Sequence, residues 1–231
     1  MQKIEKKDAF EYVTCGLEYF SKKCYDEAII EFKKALEIDD NYASAHFNLA
    51  VALSEIQETE KAIIEYQKVK EINPYYANAY YNLALIYIQK NMLNKALEEL
   101  EKTVELTPEF ASAHQNLGGV FEEMGLLDKA LKHYEKALEL DPEPADIHQN
   151  LGNIFRKLGM FHQAVYEYNE AIKRSMNYSF SYFGLGICYE KIGQKENAVR
   201  NLERYLEFDL NSVWAKEART LINKLKQENL Q

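Results

Sequence analysis

The sequence predicts an all-α chain of stacked helix pairs, and three observations predict it. Twelve residues, HQNLGGVFEEMG from His114, return 34 positions later as HQNLGNIFRKLG from His148. The same step runs in both directions: Cys15, Leu49, Leu83, Leu117, Leu151 and Leu185 are all apolar, and the residue after each is Gly or Ala. Ala28, Ala62, Ala96, Ala130, Ala164 and Ala198 then recur without exception. Finally, 9 Gly and 4 Pro in 231 residues are too few for the many turns of a β-protein. An active site needs each chemical group once, whereas a unit stacked on its own copies must repeat, so the fixed spacing is a structural signature.

Each period reads as two helices in order. In the first, the small residue is followed three positions on by Tyr19, Leu53, Tyr87, Phe121, Phe155 and Tyr189. In the second, the recurrent Ala is followed four positions on by Phe32, Tyr66, Leu100, Tyr134, Tyr168 and Leu202. Apolar residues three and four apart line one side of a helix; the small ones let a neighbouring helix come close and the large ones fill the space beside them. The turn between the helices carries Asn91, Gly125, Gly159 and Gly193, residues suited to a left-handed C-cap, whereas Lys23 and Gln57 depart from that rule. Pro74, Pro108 and Pro142 are predicted to end second helices, and Asp40, Met176 and Leu210 stand in the corresponding places elsewhere. Beyond Ser212, VWAKEARTLINKLKQ puts Trp214, Ala218, Leu221, Ile222 and Leu225 on one face. That pattern suits a helix capping the last repeat, with a partner-binding amphipathic helix as the alternative.

This pattern resembles the tetratricopeptide repeat (TPR), a 34-residue helix-turn-helix unit with a small eighth residue, Ala at the twentieth position and often Pro at the thirty-second. Six units run without insertion, at 9–42, 43–76, 77–110, 111–144, 145–178 and 179–212. An N-terminal extension, residues 1–8, precedes them, and a capping helix and tail, 213–231, follows. The resemblance implies an all-α, right-handed superhelical solenoid. Its first helices would line a concave groove through the second, fifth, sixth, ninth, twelfth and thirteenth positions of each repeat.

Composition narrows the partners. The net charge is -9, with -11 on residues 1–144 and +2 on 145–231, which disfavours nucleic acid and anionic membrane surfaces. The first ten residues lack the apolar core of a signal peptide and no apolar run approaches the ~18 residues of a membrane span, so a cytoplasmic location without membrane insertion is expected. Three cysteines without metal-like spacing suit free thiols in a reducing compartment.

No enzymatic motif, metal site or cofactor site is expected. His46, His114 and His148 share the fourth position of their repeats, where packing is the simpler role; one imidazole per helix spacing of ~10 Å cannot share a metal bonded at ~2 Å. His133 and His162 lack partners at zinc-ligand spacing. Cys15 and Cys188 read as small buried hydrophobes, and Cys24 sits at a turn. Glu98–Glu99 and Glu122–Glu123 are adjacent on helices, point ~100° apart and read as solvated rather than as proton-sharing dyads. GLGICY at Gly184 lacks the third glycine and preceding strand of a dinucleotide site, and neither GxxxxGK[ST] nor HExxH occurs. The sequon at Asn177 is irrelevant without secretion.

The inner positions carry the functional expectation. The sixth position holds Asn48, Asn82, Asn116 and Asn150 in four consecutive repeats, between Thr14 and Gly184. Asn costs roughly 0.5 kcal/mol against Ala in a helix interior, so four in register need a reason. Each amide offers a donor and an acceptor, enough to hold a peptide backbone without reading its side chains; hydrogen bonding between repeats is the alternative. Phe47, Tyr81 and Leu85 add apolar contacts, and Asn153, Arg156 and Lys157 add polar and cationic ones suited to a carboxylate. The series resembles the asparagine ladders of O-linked N-acetylglucosamine transferase and the kinesin light chain, although no transferase domain is present. Val13 and Leu17 stand where carboxylate-clamp repeats place Lys and Asn, which argues against chaperone tails as ligands.

The expected function is therefore a noncatalytic adaptor that binds an extended peptide segment of a protein partner. With inner helices ~10 Å apart and ~3.4 Å of extended chain per residue, four amides correspond to about 9 or 10 residues. The alternative is a self-assembling scaffold, a homo-oligomer similar to the TPR protein that coats magnetosomes.

Overall fold

The computed structural model describes residues 7–175 and 178–228. The expectations for residues 1–6, Met176, the sequon at Asn177 and the tail at 229–231 lie outside the described residues. Among those described, thirteen α-helices and no strands are present, arranged as helix-turn-helix pairs. The chain divides into two compact units, Met1–Glu109 and Phe110–Gln231.

The first unit contains α1 (Ala9–Ser21), α2 (Tyr25–Ile38), α3 (Ala43–Glu55), α4 (Thr59–Ile72), α5 (Ala77–Gln89) and α6 (Leu93–Leu106). The second contains α7 (Ala111–Glu123), α8 (Leu127–Leu140), α9 (Ala145–Lys157), α10 (Phe161–Arg174), α11 (Ser179–Lys191), α12 (Lys195–Leu206) and α13 (Val213–Glu228). Within each unit successive first helices start 34 residues apart, as the apolar period requires. Helices α4, α6 and α8 stop two residues before Pro74, Pro108 and Pro142. The residue before a proline is pushed out of the α region, which accounts for the stop.

The small-large alternation acts as the period implies. Ala28, Ala62, Ala96, Ala130, Ala164 and Ala198 are fully buried, as are Phe32, Leu100, Tyr168 and Leu202, while Tyr66 and Tyr134 are nearly so. In the second unit a Cβ added to Gly118 would lie 2.7 Å from the Tyr134 ring, and one added to Gly152 would lie 2.7 Å from Tyr168. The glycines at these sites are what let each ring lie flat against the preceding helix.

The turns bear on Lys23 and Gln57. All six helix-pair turns place one residue in the left-handed region: Lys23, Gln57 and Asn91 at φ 60°, 63° and 54°, and Gly125, Gly159 and Gly193 at 75°, 75° and 79°. The departure from the Gly/Asn rule is therefore in residue type alone; the backbone keeps its conformation.

Helix α13 buries Ala215, Ala218, Ile222 and Leu225, and joins a cluster with Phe183, Leu202 and Tyr205. One correction applies to the expected face: Trp214 is half-exposed at its edge, with its ring 5.6 Å from Phe183, while Ala215 takes the buried place. Ala215, Ala218, Ile222 and Leu225 are spaced by three and four and form the tighter stripe.

Candidate functional site

In the first unit, α3 and α5 carry Phe47, Asn48, Tyr81, Asn82 and Leu85, all half-buried. Asn82 and Leu85 meet in an open concavity of about 690 Å³, which Val51, Ser54, Glu55, Tyr66, Ile86 and Gln89 also line. The Tyr66 hydroxyl, at the end of a buried ring from α4, lies near the polar side chains of Ser54 and Asn82. Burial pushes this phenol up to about 12, so it is a neutral donor and acceptor at the floor of the concavity. Phe47 stands beside it, 5.8 Å edge-on from Tyr66 and 5.0 Å from Tyr76. Asn82 thus lies near a tyrosine of the preceding helix and borders open space.

In the second unit, α7 and α9 hold Asn116 and Asn150 half-buried at the same register. The polar groups around them are largely bonded to one another. Tyr168 donates from its hydroxyl to Asn153 Oδ1 at 2.8 Å and accepts from Arg156 Nε at 3.3 Å. Lys157 Nζ reaches Glu122 Oε1 at 2.8 Å, and the Tyr134 hydroxyl donates to Glu122 Oε2 at 3.2 Å. A ligand carboxylate approaching Arg156 or Lys157 would compete with these partners. Burial again dominates the phenols, pushing Tyr168 up to about 12 and raising Tyr134 as well, helped by the Glu122 charge. At Gly184, where the asparagine series ends, the Tyr168 ring fills the space: an added Cβ would lie 2.4 Å from it.

Two acidic expectations are corrected. Glu99 is buried and accepts from Lys70 Nζ at 2.6 and 2.7 Å, and the Lys70 ammonium also lies 4.6 Å from the centre of the Tyr80 ring. Burial raises the Glu99 carboxyl, and the Lys70 hydrogen bond opposes that. Glu122 is held by Tyr134 and Lys157 rather than solvated. Adjacent glutamates on a helix point to different sides, so one of each pair faces the neighbouring helix.

His46, His114 and His148 are buried. Each faces a residue 19 positions on: His46 Nδ1 meets Glu65 Oε2 at 2.5 Å, His148 Nδ1 meets Glu167 Oε2 at 2.7 Å, and His114 Nδ1 meets His133 Nδ1 at 3.1 Å. Among the described residues no group of three or more His, Cys, Asp or Glu side chains could hold a metal ion. Cys188 is fully buried, which raises its thiol to about 12.

The sequence reading took Tyr66, Tyr134 and Tyr168 for their rings and missed their hydroxyls. The signal was available, because a buried Tyr in a place that Phe32, Leu100 and Leu202 fill elsewhere must find a polar partner.

Stacked helix pairs in each unit define a helical-repeat protein. The chain belongs to the tetratricopeptide repeat family: models described as TPR repeat or tetratricopeptide repeat match residues 16–57, 84–125, 123–159, 43–76, 145–177 and 180–208. Such repeats are in general noncatalytic modules that mediate protein–protein interaction. A search of curated proteins by sequence finds no match. Among solved structures, YrrB, described as a TPR protein with an unusual peptide-binding site, aligns with a TM-score of 0.75 at 24% identity, over 82% of this chain and 97% of its own. PilF of Pseudomonas aeruginosa aligns at 0.79 with 21% identity, covering 92% and 96%. MamA aligns at 0.65 with 27% identity, covering 70% and 94%. No helix of the described residues is long and apolar enough to cross a membrane.

Proposed function

We propose that the protein is a noncatalytic adaptor whose inner face holds an extended segment of a partner protein. One observation carries the reading: the concavity in the first unit brings the Asn82 amide and the Tyr66 hydroxyl beside an apolar wall of Val51, Leu85 and Ile86. A peptide strand offers alternating backbone polar groups and side chains, and this surface answers both. Asn48 in the first unit, and Asn116 and Asn150 in the second, repeat the amide at the same register. Phe47, Tyr81, Asn153, Arg156 and Lys157 flank these positions and supply the side-chain contacts in this reading. The peptide-binding description of YrrB is consistent with it.

The test is calorimetric titration with a partner segment. Asn82→Ala should weaken binding by about 0.5–1.5 kcal/mol, the worth of one hydrogen bond. Its melting midpoint should stay near the parent's or rise slightly, because Asn82 is half-buried on α5 and Ala gains roughly 0.5 kcal/mol in helix propensity. Equal affinity for variant and parent, or a footprint confined to the second helices, would show that the asparagines serve the array alone.

A second reading, a homo-oligomeric scaffold, is favoured by α1. Phe10 and Leu17 are 66% and 46% exposed, and Tyr19 is 40% exposed where its counterparts Leu53 and Tyr87 are buried. Light scattering separates the two readings: a mass that grows with concentration supports assembly, and a constant monomer mass eliminates it.

A further inference from the structure

Resting on the peptide-binding reading, we propose that the concavity of the first unit is a subsite for a Lys or Arg side chain of the bound segment. Its floor and walls suit such a side chain from stem to tip. Val51, Leu85, Ile86 and the Tyr66 ring give an apolar channel for the methylenes, the part of a long cationic side chain that prefers to lie on apolar surface. Among the described residues that line it, Glu55 alone carries a formal charge.

Backbone electrostatics act in the same direction. Ser54 and Glu55 end α3, while Ile86 and Gln89 lie in the last turn of α5, so two helix C-termini with their partial negative charge meet the space. A single N-terminus, that of α4 at Thr59, opposes them. Glu55 is exposed and lies beside the Tyr25 hydroxyl, where burial and then the Glu55 charge raise the Tyr25 phenol; a carboxylate has a second oxygen left for a cation. The field beyond the site agrees, because residues 1–109 carry 20 acidic and 13 basic side chains. The volume, about 690 Å³, holds one long side chain together with its hydration. An anionic side chain entering the same space would meet a like charge and two negative helix ends, so sign discrimination follows from the lining.

The probe is an array of nine-residue peptides with a variable central position, set to Lys, Arg, norleucine or Glu between apolar and Ser residues, incubated with the full chain. Lys- and Arg-centred peptides should be retained about fivefold over Glu-centred ones. Glu55→Gln should cut that ratio severalfold and Glu55→Lys should reverse it, and circular dichroism should be unchanged because Glu55 is exposed. Asn82→Ala should lower retention of every peptide and leave the ratio alone. Retention without preference for a cation, or a preference that survives Glu55→Gln, overturns the subsite and leaves peptide binding standing. No retention of any peptide by the parent chain overturns both.

Discussion

The two units are built on one period and differ in how they use the same positions. In the first, left-handed turns are made by Lys23, Gln57 and Asn91, and in the second by Gly125, Gly159 and Gly193. The first places Gly16, Ala50 and Ala84 at the small position, and the second places Gly118, Gly152 and Gly186, one glycine against three. The inner polar groups diverge as well. Around Asn82 the first unit leaves an open concavity, whereas the second bonds Asn153, Arg156, Lys157 and Glu122 to its own tyrosines and to one another. A repeat fold thus fixes which positions are inner and small, and leaves open whether an inner position is spent on a ligand or on the array.

The sharpest way to break the comparison is through the small position. Gly118→Leu puts a side chain where a Cβ alone would lie 2.7 Å from the Tyr134 ring, and Ala130→Leu overfills a site with no exposed surface. Each should cost about 1–3 kcal/mol or more, because close-packed helices do not absorb added methylenes. An unchanged thermal midpoint would refute the packing register.

A smaller effect should appear with acid. His46 and His148 face glutamates, while His114 faces His133, which stacks on Phe121 with centroids 5.3 Å apart and has Lys129 and Lys132 nearby. Burial, with help from His114 and the two lysines, lowers His133 to about 4. The folded value lies below the unfolded one of 6.5, so the unfolded chain binds the proton first. Stability is complete above 6.5 and is lost as pH falls towards 4. Discounted for partial exposure, about 1–2 kcal/mol should disappear between pH 7 and 4.5. Chemical denaturation of the parent and of His133→Glu across that range checks it: the variant should lack this loss, and identical slopes would discard the assignment.

The smallest effect lies at the turns. A non-Gly residue in the left-handed region costs roughly 1 kcal/mol, so Lys23→Gly should stabilise the first unit by about 0.5–1 kcal/mol and Gly125→Ala should destabilise the second by a similar amount. A Cβ at Gly125 meets no neighbour, so any loss there is conformational rather than steric. Opposite signs for the two substitutions in urea titrations sharpen the comparison, and equal signs end it.

Most of the helix pairing was legible because it is written 34 residues at a time, and an error in one repeat is corrected by five others. Ala28 and its counterparts, and the prolines that stop α4, α6 and α8, required only periodicity and backbone sterics. What escaped depended on partners in neighbouring helices. Glu99 looked like a surface acid because its partner Lys70 lies 29 positions away, and Glu122 looked the same because its two partners lie on other helices. The concavity at Asn82 was half-legible: the amide and Leu85 came from register, while the Tyr66 hydroxyl required knowing which end of a buried ring emerges.

The 19-residue pairing of His46 with Glu65 and of His148 with Glu167 has a kinetic consequence. It closes within one repeat, and none of the side-chain hydrogen bonds described above reaches beyond the 35 residues from Glu122 to Lys157. Contacts this local can form before the chain has searched for distant partners, so nucleation is open to any helix pair and the barrier carries little loop-closure entropy. The same locality means that a pair can open without unfolding its neighbours, and amide exchange should report a separate opening free energy for each repeat rather than one value for the whole chain.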